Sequence, residues 1–174
     1  GYEDGTIRPT NNITRAEVAT IFFRLLTDDA REEFWSQTND YTDVAADAWY
    51  NNAVSTLSNM GIIDGYEDGT FKPNASITRA EFTAIATRFF DYTAEYEGAF
   101  NDVTYSDWYA DCVQAAVDMG LVNGYADGGF HPNAYITRAE SCAIVNRVLN
   151  RVPHEDHLLD EDEMITWPDN RYGA

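Results

Sequence analysis

The sequence predicts an all-α fold assembled from tandem repeats, and three observations carry that prediction. The segment GYEDGTIRPTNNITRAE at 1–17 returns as GYEDGTFKPNASITRAE at 65–81 and as GYADGGFHPNAYITRAE at 124–140. A second block, YTDVAADAWYNNAVSTLSNMGII at 41–63, returns 59 residues later as FNDVTYSDWYADCVQAAVDMGLV at 100–122. Both segments carry apolar residues at helical spacing, punctuated by Gly, Pro and Asp turns. Matches this long in fixed order define an array with a unit near 59 residues, with insertions after the first and third copies.

The DV…WY block reads as one helix. After Asp47, residues Trp49, Ala53, Leu57 and Met60 are spaced four, four and three apart, with Tyr50 and Val54 beside them. Gly61 stops this helix as its C′ residue, and Gly120 stops the next copy. Glu67-Asp68-Gly69 and Ala126-Asp127-Gly128 then form turns, and Pro73 and Pro132 are expected to hold the connection extended.

The second helix of each unit has an explicit start. Thr14, Thr78 and Thr137 are followed three residues on by Glu17, Glu81 and Glu140, the spacing of a capping box. Ile13, Ile77 and Ile136 sit at N′ and can staple the incoming chain. Val18, Ile21, Phe22 and Leu25 form the buried stripe of the first copy, and Phe82, Ile85, Ala86 and Phe89 that of the second.

Composition narrows the partners. The chain has 174 residues, 30 Asp+Glu against 11 Lys+Arg, and a formal net charge of -19. Nucleic acid and anionic membrane surfaces both need a positive protein face, so neither is expected as a partner. No apolar run approaches the roughly 20 residues of a bilayer span, so membrane insertion is not expected either. Starting at Gly1 fits a fragment or a mature product. Cys112 and Cys142 align with Ala53 and Thr83 of sister copies, which favours buried free thiols over a single bridge. The Asp-Gly turns lack the ligand pattern of a calcium loop, and His154 and His157 lie in an acidic, poorly periodic stretch. No metal or cofactor is expected. Asn12-Ile13-Thr14 and Asn74-Ala75-Ser76 match a glycosylation pattern but are embedded in the repeat turn.

Eight of the eleven basic side chains occupy repeat positions. Arg8 and Lys72 precede the capping Thr by six, where the third copy has His131. Arg15, Arg79 and Arg138 follow the Thr directly, and Arg24, Arg88 and Arg147 come nine residues later. A cation in a helix's first turn opposes the macrodipole, so Arg15, Arg79 and Arg138 need another explanation. Pairing with a neighbouring carboxylate is one. Facing a bound anion together with the exposed amides of the helix start is the other, with positive potential concentrated locally. On that reading, replacing Arg79 leaves folding stability unchanged or slightly raised. Arg24, Arg88 and Arg147 read as solvated or snorkelling helix residues. Tyr2, Tyr66 and Tyr125 beside the turn, and Trp49 and Trp108 at the helix start, suit either a sugar face or the core of a small repeat. For the tryptophans, core is the favoured reading.

These motifs resemble the S-layer homology family, through Ile13-Thr14-Arg15-Ala16-Glu17, Ile77-Thr78-Arg79-Ala80-Glu81 and Ile136-Thr137-Arg138-Ala139-Glu140 together with the GYxDG and DV…WY elements. The resemblance covers roughly 140 residues. The third copy departs from it at Gly129 and Ser141, and the first has Ile7 where Phe is usual. The resemblance implies tandem repeats closing into a pseudo-threefold helical spindle with short loops. It also implies an extracellular, cell-surface location and non-covalent anchoring to a bacterial secondary cell-wall polysaccharide, often pyruvylated. The ligand-binding residues it points to are Arg15, Arg79 and Arg138; the repeat positions themselves add Tyr66, Tyr125, Trp49, Trp108 and Lys72 as candidates.

No catalytic constellation appears, so an enzyme is not expected. A self-assembly module of a surface layer is the alternative, and a glycan-processing domain using paired carboxylates a weaker one. The expected division is 1–40 (second half of a first repeat plus insertion), 41–99, 100–152, and 153–174 (acidic linker and the start of another block). Asp43 and Asp102 precede Trp49 and Trp108 by six residues, and Asp169 opens a similar block near the end. The first module is therefore expected to lack a partner helix. Either Tyr172 and its neighbours pack beside residues 1–26, or an apolar face around Phe22 and Phe23 is covered by a second molecule, giving self-association.

Overall fold

The computed structural model describes residues 2–151 and 168–169. They form an all-α arrangement of six helices: α1 (Arg15–Leu25), α2 (Asp28–Phe34), α3 (Asn51–Asn59), α4 (Arg79–Phe89), α5 (Ala110–Asp118) and α6 (Arg138–Val148). The acidic segment with His154 and His157, and Tyr172, lie outside the described residues.

The capping boxes form in all three repeats. At α4 the Thr78 hydroxyl accepts from the Glu81 amide, while the Glu81 carboxylate accepts from the Thr78 amide at 2.9 Å. Thr14–Glu17 and Thr137–Glu140 repeat the arrangement at α1 and α6. Gly61 and Gly120 take positive φ just past α3 and α5, as the C′ positions require. One helix was not legible. α2 lies in the insertion after the first repeat, capped by Thr27, and buries none of its residues.

The helix starts are also where the repeats join. The Ile77 amide donates to the Ile13 carbonyl, Ile136 to Ile77, and Ile13 to Ile136, at 3.1–3.2 Å. Each N′ isoleucine is at most 1% exposed. Isolated bridges Thr14–Ser76, Thr78–Tyr135 and Asn12–Thr137 flank this closed cycle. Phe22 of α1 packs on Phe82 and Phe89 of α4, with ring centroids 5.8 and 5.3 Å away, extending the core between repeats.

The DV…WY helices pack as partners of the capped ones, α3 on α1 and α5 on α4. They start later than the spacing indicates. α3 begins at Asn51, after a turn in which the Asn51 amide bonds the Ala48 carbonyl, so Trp49 precedes the helix and is 66% exposed. Trp108 is 61% exposed in the same position. The tryptophans are not core residues.

Each block also clamps the turn that follows it within its own repeat. Asp43 accepts from the amides of Phe71 and Lys72, and Asp102 from those of Phe130 and His131, at 2.7–2.8 Å. Held this way, Lys72 and His131 adopt left-handed φ of 56° and 59° rather than the extended conformation expected before proline. Gly65 and Gly124 lie so close to the rings of Tyr41 and Phe100 that a Cβ would overlap them. That contact explains the glycine preceding each of these tyrosines.

Two expectations are corrected. Both thiols are free, as expected, but neither is buried: Cys112 is half-buried, and Cys142 is exposed because α6 has no packed partner helix over it among the described residues. The first module does not lack a partner helix, because α3 packs on α1; Phe22 is fully buried and Phe23 packs on Trp35, so that face is covered largely from within the chain. Thr78→Ala is expected to lower unfolding free energy by about 0.5–2 kcal/mol, the usual worth of an N-cap, measured by urea denaturation.

Candidate functional site

Each motif arginine crosses to the next repeat. The Arg15 Nε donates to the Phe71 carbonyl at 2.8 Å, one terminal nitrogen to the Asp64 carbonyl and the other to the Glu81 carboxylate at 3.0 Å. Its guanidinium lies over the rings of Tyr66 and Phe71. Arg79 donates to the carbonyls of Phe130 and Asn123 and lies over Tyr125 and Phe130. Arg138 donates to the Ile7 carbonyl and the Glu17 carboxylate, over Tyr2. Arg15 and Arg79 are 6% and 8% exposed.

The amides of the helix starts are occupied as well. Those of Arg15 and Ala16 donate to the carbonyls of Ala75 and Pro73, those of Arg79 and Ala80 to Ala134 and Pro132, and those of Arg138 and Ala139 to Asn11 and Pro9. With the third amide taken by the Thr hydroxyl, no amide of the first three positions is open to an anion. The expected helix-terminus anion site does not form.

The motif glutamates divide their oxygens between two tasks. One oxygen of Glu81 caps its own helix; the other accepts from the Tyr66 hydroxyl at 2.7 Å and from Arg15. Burial pushes the Glu81 carboxyl up, but the Thr78 amide, the Tyr66 hydroxyl and Arg15 outweigh it and hold the pKa below the ordinary value. Tyr66 is pushed up to about 12 by its own burial and by the Glu81 contact, so it remains a donor. Glu140 is also raised by burial and lowered overall, by the Thr137 amide and hydroxyl, Tyr125 and, through space, Arg79.

These junctions wall a groove of about 530 Å³. Arg15 enters from the first repeat, Tyr66, Glu81 and Arg88 from the second, and Trp108 with Asn133 from the third. Arg88 pairs with Asp64 at 2.7 Å, both groups partly open to solvent. Two arginines face Asp64, Glu67 and Glu81 here, so the lining is not the local excess of positive charge that the repeat cations led us to expect.

The S-layer homology domain family matches residues 1–19, 40–83 and 99–140, more than half of the sequence. The chain belongs to the S-layer homology domain family. It is 38% identical over 165 residues to Cell surface glycoprotein 1 of Acetivibrio thermocellus, covering 88% of this chain and 7% of that protein. It is 35% identical over 165 residues to the Cellulosome-anchoring protein of the same organism, covering 92% and 37%. The Surface-layer 125 kDa protein of Lysinibacillus sphaericus is 34% identical over 110 residues, covering 63% and 9%. The chain thus spans well under half the length of these relatives. As an S-layer homology unit, these residues are a binding and structural module, not a catalytic one.

The family motif residues are distributed unevenly. Arg15, Tyr66 and Trp108 come together in the groove, whereas Arg79 and Tyr125 meet at the following junction, and Arg138 at the one joining the third repeat to the first. Trp49 lies in the same turn one repeat earlier. Lys72 lies over Tyr66, 3.9 Å from the ring centroid, and pairs with Asp68, but is not among the groove residues. Arg88, read from sequence as a solvated or snorkelling helix residue, lines the groove. Its nine-residue offset from Arg79 was the available signal, because half a turn on a helix points it at a different repeat junction. Among the described residues no cluster of metal-binding side chains occurs, and no helix is long and apolar enough to cross a membrane.

The burial of Arg79 and its two carbonyl bonds argue against the expectation that its replacement leaves stability unchanged or slightly raised. Arg15→Ala is expected to cost about 2–4 kcal/mol, since it strands two carbonyls and a carboxylate. Arg79→Ala, with no direct ion pair, should cost less yet still destabilise; thermal unfolding checks both. Because the folded pKa values of Glu81 and Glu140 lie below their unfolded ones, their contribution is complete at neutral pH and is lost as pH falls through the folded values. Melting temperature should therefore fall on acidification, with a shallower fall in Glu81→Gln.

Proposed function

We propose that this module attaches a larger extracellular protein to the bacterial cell surface by lodging an anionic sugar of the secondary cell-wall polysaccharide in the inter-repeat groove. A pyruvylated residue is the ligand that best fits this reading. The observation carrying it is the pairing in one groove of Trp108, an exposed flat ring, with Arg88, a cation whose ion-pair partner among the described residues is the exposed Asp64. Trp108 offers a stacking face for a pyranose. A solvent-exposed ion pair is worth little, so a ligand carboxylate can replace Asp64 on Arg88 at small cost. Arg15 and Tyr66 then serve mainly to hold the wall, as do Arg79, Tyr125 and Arg138 at the equivalent junctions, with Trp49 a second stacking face and Lys72 at the rim. Family membership and relatives named for the cell surface, anchoring and the surface layer support the attachment role.

The closed cycle of isoleucine hydrogen bonds supports a pseudo-threefold spindle, divided near residues 40, 99 and 152. Calorimetric titration with a defined pyruvylated wall saccharide tests the function. Arg88→Ala and Trp108→Ala should each weaken binding roughly tenfold or more while leaving the melting temperature unchanged. Unchanged affinity in both variants would refute the groove assignment. Sedimentation of the protein alone as large assemblies, without saccharide binding, would favour a lattice role.

A further inference from the structure

We propose that Tyr135 forms a second sugar subsite at the rim of the groove, stacking on the neutral pyranose next to the anionic one; this rests on the anchoring reading above. Backbone pairing fixes where the ring stands. The Ile136 amide donates to the Ile77 carbonyl at 3.2 Å and the Arg79 amide to the Ala134 carbonyl at 2.8 Å, so Thr78 and Tyr135 lie opposite each other in an antiparallel bridge. These bonds flank the pair rather than join it, and residues paired in this way have Cα atoms about 4.5 Å apart and neighbouring side chains. Ile77 and Ile136 are buried, so the alternation of extended backbone turns Thr78 and Tyr135 to the outer face. Thr78 lines the groove, as does Asn133 two residues before Tyr135. The Tyr135 ring therefore stands beside the groove wall, 57% exposed.

Folding does not call for a ring at this position. Ser76 makes the same bridge opposite Thr14, and Asn12 makes it opposite Thr137, each with the same flanking backbone bonds. A ring left more than half exposed also adds little to stability, because apolar surface contributes in proportion to the area removed from water. Among the described residues, this groove alone joins an exposed tryptophan to an aromatic rim. Trp49, the counterpart of Trp108, belongs to the repeat whose rim residue is Ser76. The cavity of about 530 Å³ lies in the size range of sites for drug-sized ligands, more than one pyranose fills. With Trp108 and Arg88 on the anionic residue, the rim is left for its neighbour in the glycan. A phenol brings a π face and a hydroxyl but no charge, which suits a neutral hexopyranose.

The experiment titrates the whole chain calorimetrically with two defined ligands: a pyruvylated monosaccharide as its methyl glycoside, and the same residue extended by one neutral hexopyranose. The extended ligand should bind roughly three- to tenfold more tightly, the worth of one stacked ring. Tyr135→Ala should remove that gain while leaving the monosaccharide affinity and the melting temperature unchanged, and Tyr135→Phe should keep most of it. Three results would overturn the proposal. The Tyr135→Ala protein could bind the extended ligand as tightly as the unsubstituted one. It could lose affinity for both ligands equally, which would put the ring on the first sugar. It could melt at a clearly lower temperature, which would make the ring a folding residue. The two readings fail separately. Binding of the monosaccharide with no gain from the added sugar sinks the subsite and leaves the anchoring reading standing, whereas no binding of either ligand sinks both.

Discussion

The junction between repeats depends on one side chain placed against the usual electrostatic preference. An arginine at the first position of a capped helix opposes the helix dipole. Here it does not remain there: the side chain leaves its own helix, slides between two aromatic rings of the next repeat and binds that repeat's carbonyls. The same residue's amide and its neighbour's donate to the same repeat. The positive helix end is therefore saturated by protein, and the carboxylate that caps one helix anchors the arginine arriving from another. Local helix formation and repeat assembly share one set of groups, and neither is complete without the other.

That sharing sets what the sequence could disclose. Thr-x-x-Glu boxes and C′ glycines act within a few residues, and both were legible because their partners lie within the same short motif; the N′ isoleucines stood out as a repeat feature, but their hydrogen-bond partners, each in another repeat, did not. The arginine's destination was not legible either. Arg15 reaches Phe71 and Glu81, 56 and 66 residues away, and no local pattern names them. Trp49 was misread for the opposite reason. Its spacing continues the stripe of α3, but the turn closed by Ala48 and Asn51 places it before the helix, where its ring faces solvent. The groove emerges only when three segments distant in sequence converge, so its separate residues were visible while their grouping was not.

The division of labour within the groove follows from burial. Groups that hold the repeats together, Arg15, Tyr66 and Glu81, are tied to one another and have little freedom to rearrange. The groups proposed to meet a partner are more open: Arg88 pairs with an exposed carboxylate, and Trp108 is 61% exposed. On the proposed reading, an acidic chain needs no positive patch for an anionic sugar, because one replaceable ion pair is enough to admit a single compact carboxylate. An extended polyanion would meet the rest of the -19 surface.

The isoleucine cycle has a consequence for how the module bears load. A linear stack of repeats can be peeled from its ends, one interface at a time. In a cycle where Ile13, Ile77 and Ile136 each donate to one neighbour and accept from the other, no repeat is terminal. Tension applied through one end of the chain must then work against interfaces on two sides before any repeat separates. A tethered protein exposed to fluid shear gains by this: failure is deferred until the whole ring yields, and a ring loosened at one seam still has two others to guide its closing.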